Sequence, residues 1–393
     1  MQISEGGAAR TWFEPLGSFA RAGHPIYVSD SKTKDLRLSV LDQSPVSEGM
    51  TPGQALGNSI ALARRADELG YTRFWMSEHH AMDTLACTAP EIMLARIGAE
   101  TRRIRIGSGG IMLPHYSAFK VAEVFRTLHA LYPGRVDLGI GRAPGGGPVE
   151  ALALKRDRKT PMADDFPEQV QELLAYLGSN AGDGFPERHP FARMRVAPEM
   201  PGGPDVWMLG SSMWSSAAAA SFGLTYAFAH FFSPVYTRAA IEAYKRGFLA
   251  SGRAGGREVP QATVAVGVIC AETQAEAEYL SASVRVLQRR IRLGDRRPVA
   301  SPEQALRELQ AFGPGGGEEG EWPRYFAGTP AKVAAELRAM AADLGIGEVV
   351  VNTIVWDHAA RVRSYELLAE EFGLGEGGRA SVDARSELAA VVR

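Results

Sequence analysis

The sequence predicts an α/β chain folded as a (β/α)8 TIM barrel with insertions. Eight short apolar segments alternate with helical segments along most of the chain, the pattern of parallel strands joined by helical crossovers. A glycine that stops a helix just before a strand recurs at Leu69-Gly70-Tyr71, Phe222-Gly223-Leu224 and Leu344-Gly345-Ile346, where a left-handed residue closes the helix. Eight such units favour a closed barrel over an open sheet.

The first strand is Leu36–Leu41, ended by Asp42. Thr51 then offers an N-cap, Pro52 suits the first helical position and Gln54 completes a capping box. Leu56, Ile60, Ala63, Ala66 and Leu69 recur every three or four residues, one buried helical face. The second strand is Thr72–Ser77, rich in β-formers. Strands follow at Ile104–Leu113, Arg135–Gly141, Val206–Leu209, Tyr226–Phe228, Thr263–Ala271 and Val349–Ile354. Helical patterns fill the gaps at Pro90–Glu100, Phe119–Leu131, Asp165–Leu177, Ser212–Ser221, Val235–Leu249, Ala275–Leu293, Pro330–Leu344 and His358–Phe372.

The barrel domain is expected over 36–373, with a peripheral extension at 1–35 and a tail at 374–393. Insertions fall near 144–163, 178–204 and 294–326. Pro144–Ala163 reads as a mobile loop above the fourth strand, and the glycine run at 313–317 as a flexible insertion.

A net charge of -2 gives no field that favours nucleic acid or an acidic membrane surface. Two cysteines, Cys87 and Cys270, exclude a disulfide framework, and no histidines stand beside them at zinc spacing. No secretory apolar run and no membrane span are visible, so a soluble, cytoplasmic protein is expected.

Function in such a barrel gathers where strands end. Those junctions hold Asp42, Ser77-Glu78-His79-His80, Ser108-Gly109-Gly110, Arg142, and Gly210-Ser211-Ser212 with Ser215. The serines open a helix, where free backbone N–H groups make an anion site, or an ordinary N-cap. Arg142 on the neighbouring strand adds the charge and fork that phosphate needs. One of His79 and His80 faces the mouth, since successive strand residues alternate; it is a structural histidine or a proton-transfer group. Gly109 and Gly110 suggest a bulge or a flat ligand against the backbone. Gly139-Ile140-Gly141 imitates a dinucleotide fingerprint, but Pro144 and the glycine run prevent a helix from opening at once.

At these same residues the chain resembles the bacterial luciferase-like monooxygenases. The resemblance rests on Ser77-Glu78-His79-His80, on Gly107-Ser108-Gly109-Gly110-Ile111-Met112-Leu113-Pro114 and on the segment from Pro133 to Arg142. Trp207–Ser212 and Ala327-Gly328-Thr329-Pro330 support it, and it spans about Leu36 to Phe372. A narrower likeness is to actinobacterial oxygenases that tailor aromatic polyketides of mensacarcin-type pathways. The resemblance implies a barrel that binds reduced FMN from a separate flavin reductase and passes one atom of O2 to an organic substrate, by epoxidation or hydroxylation. It implies a homodimer. It implies His79 as the active-site histidine, with Asp42 and Ser108 near the cofactor. It further implies Gly109-Gly110 against the isoalloxazine, often as a non-proline cis peptide, and Arg142, Gly210, Ser211, Ser212 and Ser215 around the phosphate. Ser211 stands where luciferase carries an acidic residue, which bears on cofactor affinity. A deazaflavin-dependent oxidoreductase and a non-catalytic flavin-binding protein are the alternative readings. A metal-dependent hydrolase using His79, His80 and Asp42 lacks the ligand spacing; no metal is expected.

Overall fold

In the computed structural model, described over residues 36–154, 165–178, 184–248, 258–312 and 320–375, eight parallel strands close into a barrel inside a ring of helices. The elements run β1 (Arg37–Asp42), α1 (Pro52–Leu69), β2 (Arg73–Met76), α2 (Pro90–Glu100), β3 (Arg105–Met112), α3 (Ala118–Leu131) and β4 (Val136–Gly141). Then come α4 (Pro148–Leu154), α5 (Phe166–Gly178), β5 (Asp205–Gly210), α6 (Met213–Phe222), β6 (Thr225–Ala229), α7 (Thr237–Gly247) and β7 (Ala262–Cys270). The chain continues through α8 (Gln274–Arg292), α9 (Pro302–Phe312), β8 (Tyr325–Gly328), α10 (Pro330–Leu344), β9 (Glu348–Asn352) and α11 (His358–Phe372).

The ring is β1-β2-β3-β4-β5-β6-β7-β9, closed where Val40 of β1 faces Val351 of β9. The expected local signals operate as physics requires. Thr51 and Gln54 form the reciprocal capping box of α1, and Gly70, Gly223 and Gly345 end their helices in the left-handed conformation.

The sequence reading needs three amendments. A ninth strand, β8, pairs with the far end of β7 outside the ring; with four residues and alternating burial it carries too short an apolar pattern to see. The expected loop 144–163 contains α4, whose residues are not fully buried and so leave little periodicity. α9 adds a helix within the expected insertion 294–326. The 1–35 extension, most of the 374–393 tail, residues 155–163 and the glycine run 313–317 lie outside the described residues. Among the described residues, no helix is long and apolar enough to cross a membrane.

The barrel interior is layered. Leu41, Trp75, Trp207, Ala227, Ala265 and Val350, from six strands, form one apolar cluster across it, and the Trp75 and Trp207 rings meet edge to face at 4.9 Å. Two residues earlier on β2 and β9, hence on the same face nearer the strand starts, Arg73 and Glu348 meet Asp137 of β4. Arg73 donates to Glu348 Oε1 and Asp137 Oδ2, each at 2.8 Å. Trp75 Nε1 donates to Asp137 at 3.0 Å and Ser39 to Glu348 at 2.6 Å, while Arg105 binds the other Asp137 oxygen. This fully partnered ionic plug seals the lower end and leaves the upper rim, at the strand ends, for ligands.

Candidate active site

The rim is built in sectors, each from the loop that leaves one strand. At the end of β2 the chain turns through Ser77-Glu78-His79-His80. Glu78 is completely buried and its carboxylate accepts from three groups: His80 Nε2 at 2.7 Å, the Tyr116 hydroxyl at 2.8 Å and the Met112 amide at 2.9 Å. It therefore ties the β2 loop to the end of β3. Burial, then the adjacent Glu78, pushes the Tyr116 phenol up, so it remains a neutral donor. Sequence reasoning gave Glu78 no role of its own, because two of its three partners lie 34 and 38 residues away.

His79 is held differently from His80. Its Nδ1 meets the Ser77 hydroxyl at 3.1 Å and its backbone amide donates to the Cys87 carbonyl. The residue keeps a solvent-facing edge, but its ring is closely surrounded. Burial, followed by neighbouring His80, lowers its pKa to about 4, which keeps the imidazole neutral. Burial and then Asp42 push the Cys87 thiol up to about 12, so it is no thiolate nucleophile.

On β3, Ser108 is committed to the fold. Its hydroxyl donates to the Gly139 carbonyl at 2.8 Å and accepts from the Gly139 amide at 3.0 Å. The register between β3 and β4 shifts just beyond it, between Ser108 and Ile111, and the Gly109-Gly110 peptide is cis. A Cβ on Gly109 would lie 2.6 Å from Leu41 Cδ1, and one on Gly110 2.8 Å from the Gly139 carbonyl oxygen. Neighbouring strands thus leave no room for a side chain at either position, and Gly109 stays half-buried while Gly110 is buried.

At the ends of β4 and β5, the Arg142 guanidinium lies over the Trp214 ring at 4.0 Å. Trp214 is also in edge contact with Phe166, the ring centroids 5.6 Å apart. This cation–π contact holds a permanent positive charge beside the first turn of α6. Ser212 caps α6 and stays exposed, next to half-buried Gly210 and Ser211. Ser215 is turned inward: its hydroxyl donates to the Ser212 carbonyl at 2.7 Å and meets the Tyr226 hydroxyl at 2.9 Å. Gly210 is required there, since a Cβ would fall 2.3 Å from that of Ser215.

Asp42 ends β1 in a buried ion pair with Arg361 of α11 at 2.8 Å, and the same oxygen accepts from the Ser44 amide at 2.6 Å. Arg361 was not singled out by the sequence; its only local signal is an arginine in the first turn of a helix that follows a strand. The structure thus brings His79, Gly109-Gly110, Arg142, Ser211 and Ser212 to one rim. It occupies polar atoms of Asp42, Ser108 and Ser215 with protein partners. His80, the other member of the pair, belongs to the Glu78 clamp.

The arrangement combines a neutral imidazole, a glycine pair at an irregular stretch of β3 and an arginine beside a helix start. The family model described as luciferase-like monooxygenase matches residues 36–348 of the chain. Among solved structures, that of apo-MsnO8 is 45% identical and superposes with a TM-score of 0.78, covering 87% of this chain and 99% of that one. The uncharacterized protein YwcH of Bacillus subtilis is 42% identical over 85% of this chain and 98% of its own length. The N-acetyl-S-alkylcysteine monooxygenase of the same organism is 36% identical over 85% of this chain and 98% of its own.

Proposed function

We propose, from the premise that the chain belongs to the luciferase-like monooxygenase family, that it is a monooxygenase that takes reduced FMN from a separate flavin reductase and inserts one atom of O2 into an organic substrate. The observation that carries this reading is the β4–β5 sector. Arg142, fixed on Trp214 beside the exposed Ser212 cap of α6, is what a terminal phosphate needs: a fork of charged donors and free helix-start amides. The half-buried Gly109, with buried Gly110 after it, supports the same reading, because a position without a side chain lets a ligand come close to the strand backbone.

When bound, the flavin supplies the oxygen activation; the protein's part is binding, orientation and exclusion of water. Ser211, Ser212 and Arg142 hold the phosphate. Gly109 and Gly110 give the ring its flat support. His79, neutral and steered through Nδ1 by Ser77, presents its other nitrogen to the reacting region and handles a proton there. Glu78, His80 and Tyr116 keep the loop that carries His79 in place. The substrate is an organic molecule of the thioether or aromatic type, consistent with the activity named for the N-acetyl-S-alkylcysteine relative and with the aromatic-polyketide likeness read from the sequence. The protein acts in the cytoplasm as a homodimer.

The test supplies the chain with reduced FMN from a flavin reductase under ¹⁸O2, with N-acetyl-S-benzylcysteine and 1,8-dihydroxyanthraquinone as acceptors. A product heavier by one ¹⁸O atom, absent when reduced FMN is replaced by reduced deazaflavin, is the expected result. Turnover with the deazaflavin alone, without oxygen incorporation, would turn the reading to an oxidoreductase.

A further inference from the structure

The mouth of the barrel is roofed along one side. A second apolar cluster covers the ends of β7 and β9, where Ile269 and Val284 pack with Val299, Ile354 and Val355. Val299 carries this roof on to β1: its amide donates to the Val46 carbonyl and its carbonyl accepts from the Glu48 amide, each at 2.8 Å. Thr84, in the loop after β2, donates to the Arg296 carbonyl at 2.8 Å. The Arg296 guanidinium donates in turn to the Ala81 carbonyl at 3.0 Å and to Glu150 of α4 at 2.7 Å. One short strap, residues 296–299, thus ties down the loops after β1 and β2 and the helix after β4.

The segments that leave β5 and β6 have a different surface. Met213, Phe232, Val235 and Tyr236 are all exposed there. From Val206 to Thr237 the chain carries no Asp, Glu, Lys or Arg, although 22% of the whole is charged. The histidine of this stretch, His230, is fully buried, and its two ring nitrogens meet the Thr237 hydroxyl and the Pro323 carbonyl. Burial lowers its pKa, so it adds no charge near neutral pH. An exposed apolar arc on the rim of a binding mouth marks a contact for an apolar ligand.

Phe232 is the part of this arc that is held most firmly. It is 57% exposed, and its ring meets that of Phe231 at 4.5 Å. Phe231 is buried and joins the interior cluster of Leu41, Trp75 and Trp207. Through these two rings the apolar interior of the barrel continues to its surface. The turn that carries them is pinned, since Arg324 donates to the Phe231 carbonyl at 2.7 Å and to the Phe232 carbonyl at 2.8 Å. A fixed aromatic ring with one free side suits a second flat ring in offset or edge contact. An anionic ligand would give up its hydration against an uncharged surface.

We infer that Phe232 is a specificity-determining residue of the acceptor site, its ring packing on an uncharged, flat aromatic acceptor that enters over the β5–β6 arc. The inference rests on the monooxygenase reading above and chooses between the acceptor types named there.

The experiment is anaerobic calorimetry of the full chain saturated with reduced FMN, titrated with 1-naphthol, 1-naphthoate and 1-decalol. These are an uncharged aromatic, its anionic counterpart and its saturated counterpart. The wild type is expected to bind 1-naphthol about tenfold more tightly than either of the others. Phe232→Ala should weaken 1-naphthol about tenfold, the size of a lost aromatic contact, and change 1-decalol by less than about threefold. Phe232→Trp should bring 1-naphthol back to within about threefold of the wild type. An equal loss for 1-decalol would overturn the aromatic role of Phe232. 1-Naphthol binding Phe232→Ala like the wild type would overturn the inference and leave the arc to a protein partner. No binding of 1-naphthol to the wild type with reduced FMN in place would also overturn it, while the flavin reading stands. Failure of reduced FMN itself to bind would instead overturn the flavin reading, and the acceptor site with it.

Discussion

The two ends of the barrel bury polar groups in opposite ways. At the lower end Arg73, Asp137 and Glu348 are buried, and every charged oxygen of the plug is engaged by a donor from another strand. At the upper rim Asp42 and Asn352 are as deeply buried, yet each keeps one side-chain oxygen without a hydrogen-bond partner. A satisfied network fixes a fold; an unsatisfied one at the same depth costs stability unless something fills it. The barrel therefore separates its work by height: the strand starts hold the structure and the strand ends wait for a ligand.

The largest effect is expected below. Arg73→Met leaves Asp137 and Glu348 buried without their shared cation, and should lower the unfolding free energy by about 3–5 kcal/mol. Denaturant melts measure this, and the affinity of the folded fraction for reduced FMN should stay within about twofold. A large loss of affinity would break the division between the two ends.

His79 should couple the rim to pH. Its folded pKa near 4 lies below the ordinary 6.5, so between those values the unfolded chain holds a proton that the folded one lacks. Stability is therefore undiminished above pH 6.5 and falls as pH drops toward 4, by up to about 3 kcal/mol. Burial also lowers the pKa of His230, which adds to the same slope. His79→Gln should flatten the urea midpoint against pH between 6.5 and 4.5; an unchanged slope would mean that His79 is not held neutral.

Arg142→Ala should weaken reduced FMN by roughly 10- to 100-fold, the range of a hydrogen bond to a charged group, and leave reduced riboflavin, which has no phosphate, unaffected. Equal losses for both would place Arg142 on the ring instead. The smallest effect belongs to a part with no ligand role: Thr51→Ala removes the α1 capping box and should cost about 1 kcal/mol, with no change in flavin affinity.

Much of the fold was legible because its signals are local. Thr51-Pro52 with Gln54, and the glycines at 70, 223 and 345, act on their immediate neighbours, and all eight ring strands carry enough apolar residues to be seen. β8 was missed because four residues of alternating burial are too few to make a pattern, although the Tyr325 ring packs directly over Gly267. At the site, residues that follow strand ends could be placed at the rim from position alone, as with His79 after β2 and Arg142 after β4. The Glu78 clamp and the Asp42–Arg361 corner could not. Asn352 reaches the Leu41 carbonyl across 311 residues, a contact created only when β9 closes the ring against β1.

The account's central claim is that the upper rim is built around a reduced flavin, and anaerobic calorimetry of the wild-type chain tests it most directly. Reduced FMN should bind once per chain with a dissociation constant in the micromolar range or below, a free energy of about −8 kcal/mol or more favourable, and should raise the thermal midpoint by mass action. No heat and no thermal shift at millimolar reduced FMN, in a chain shown to be folded, would contradict it.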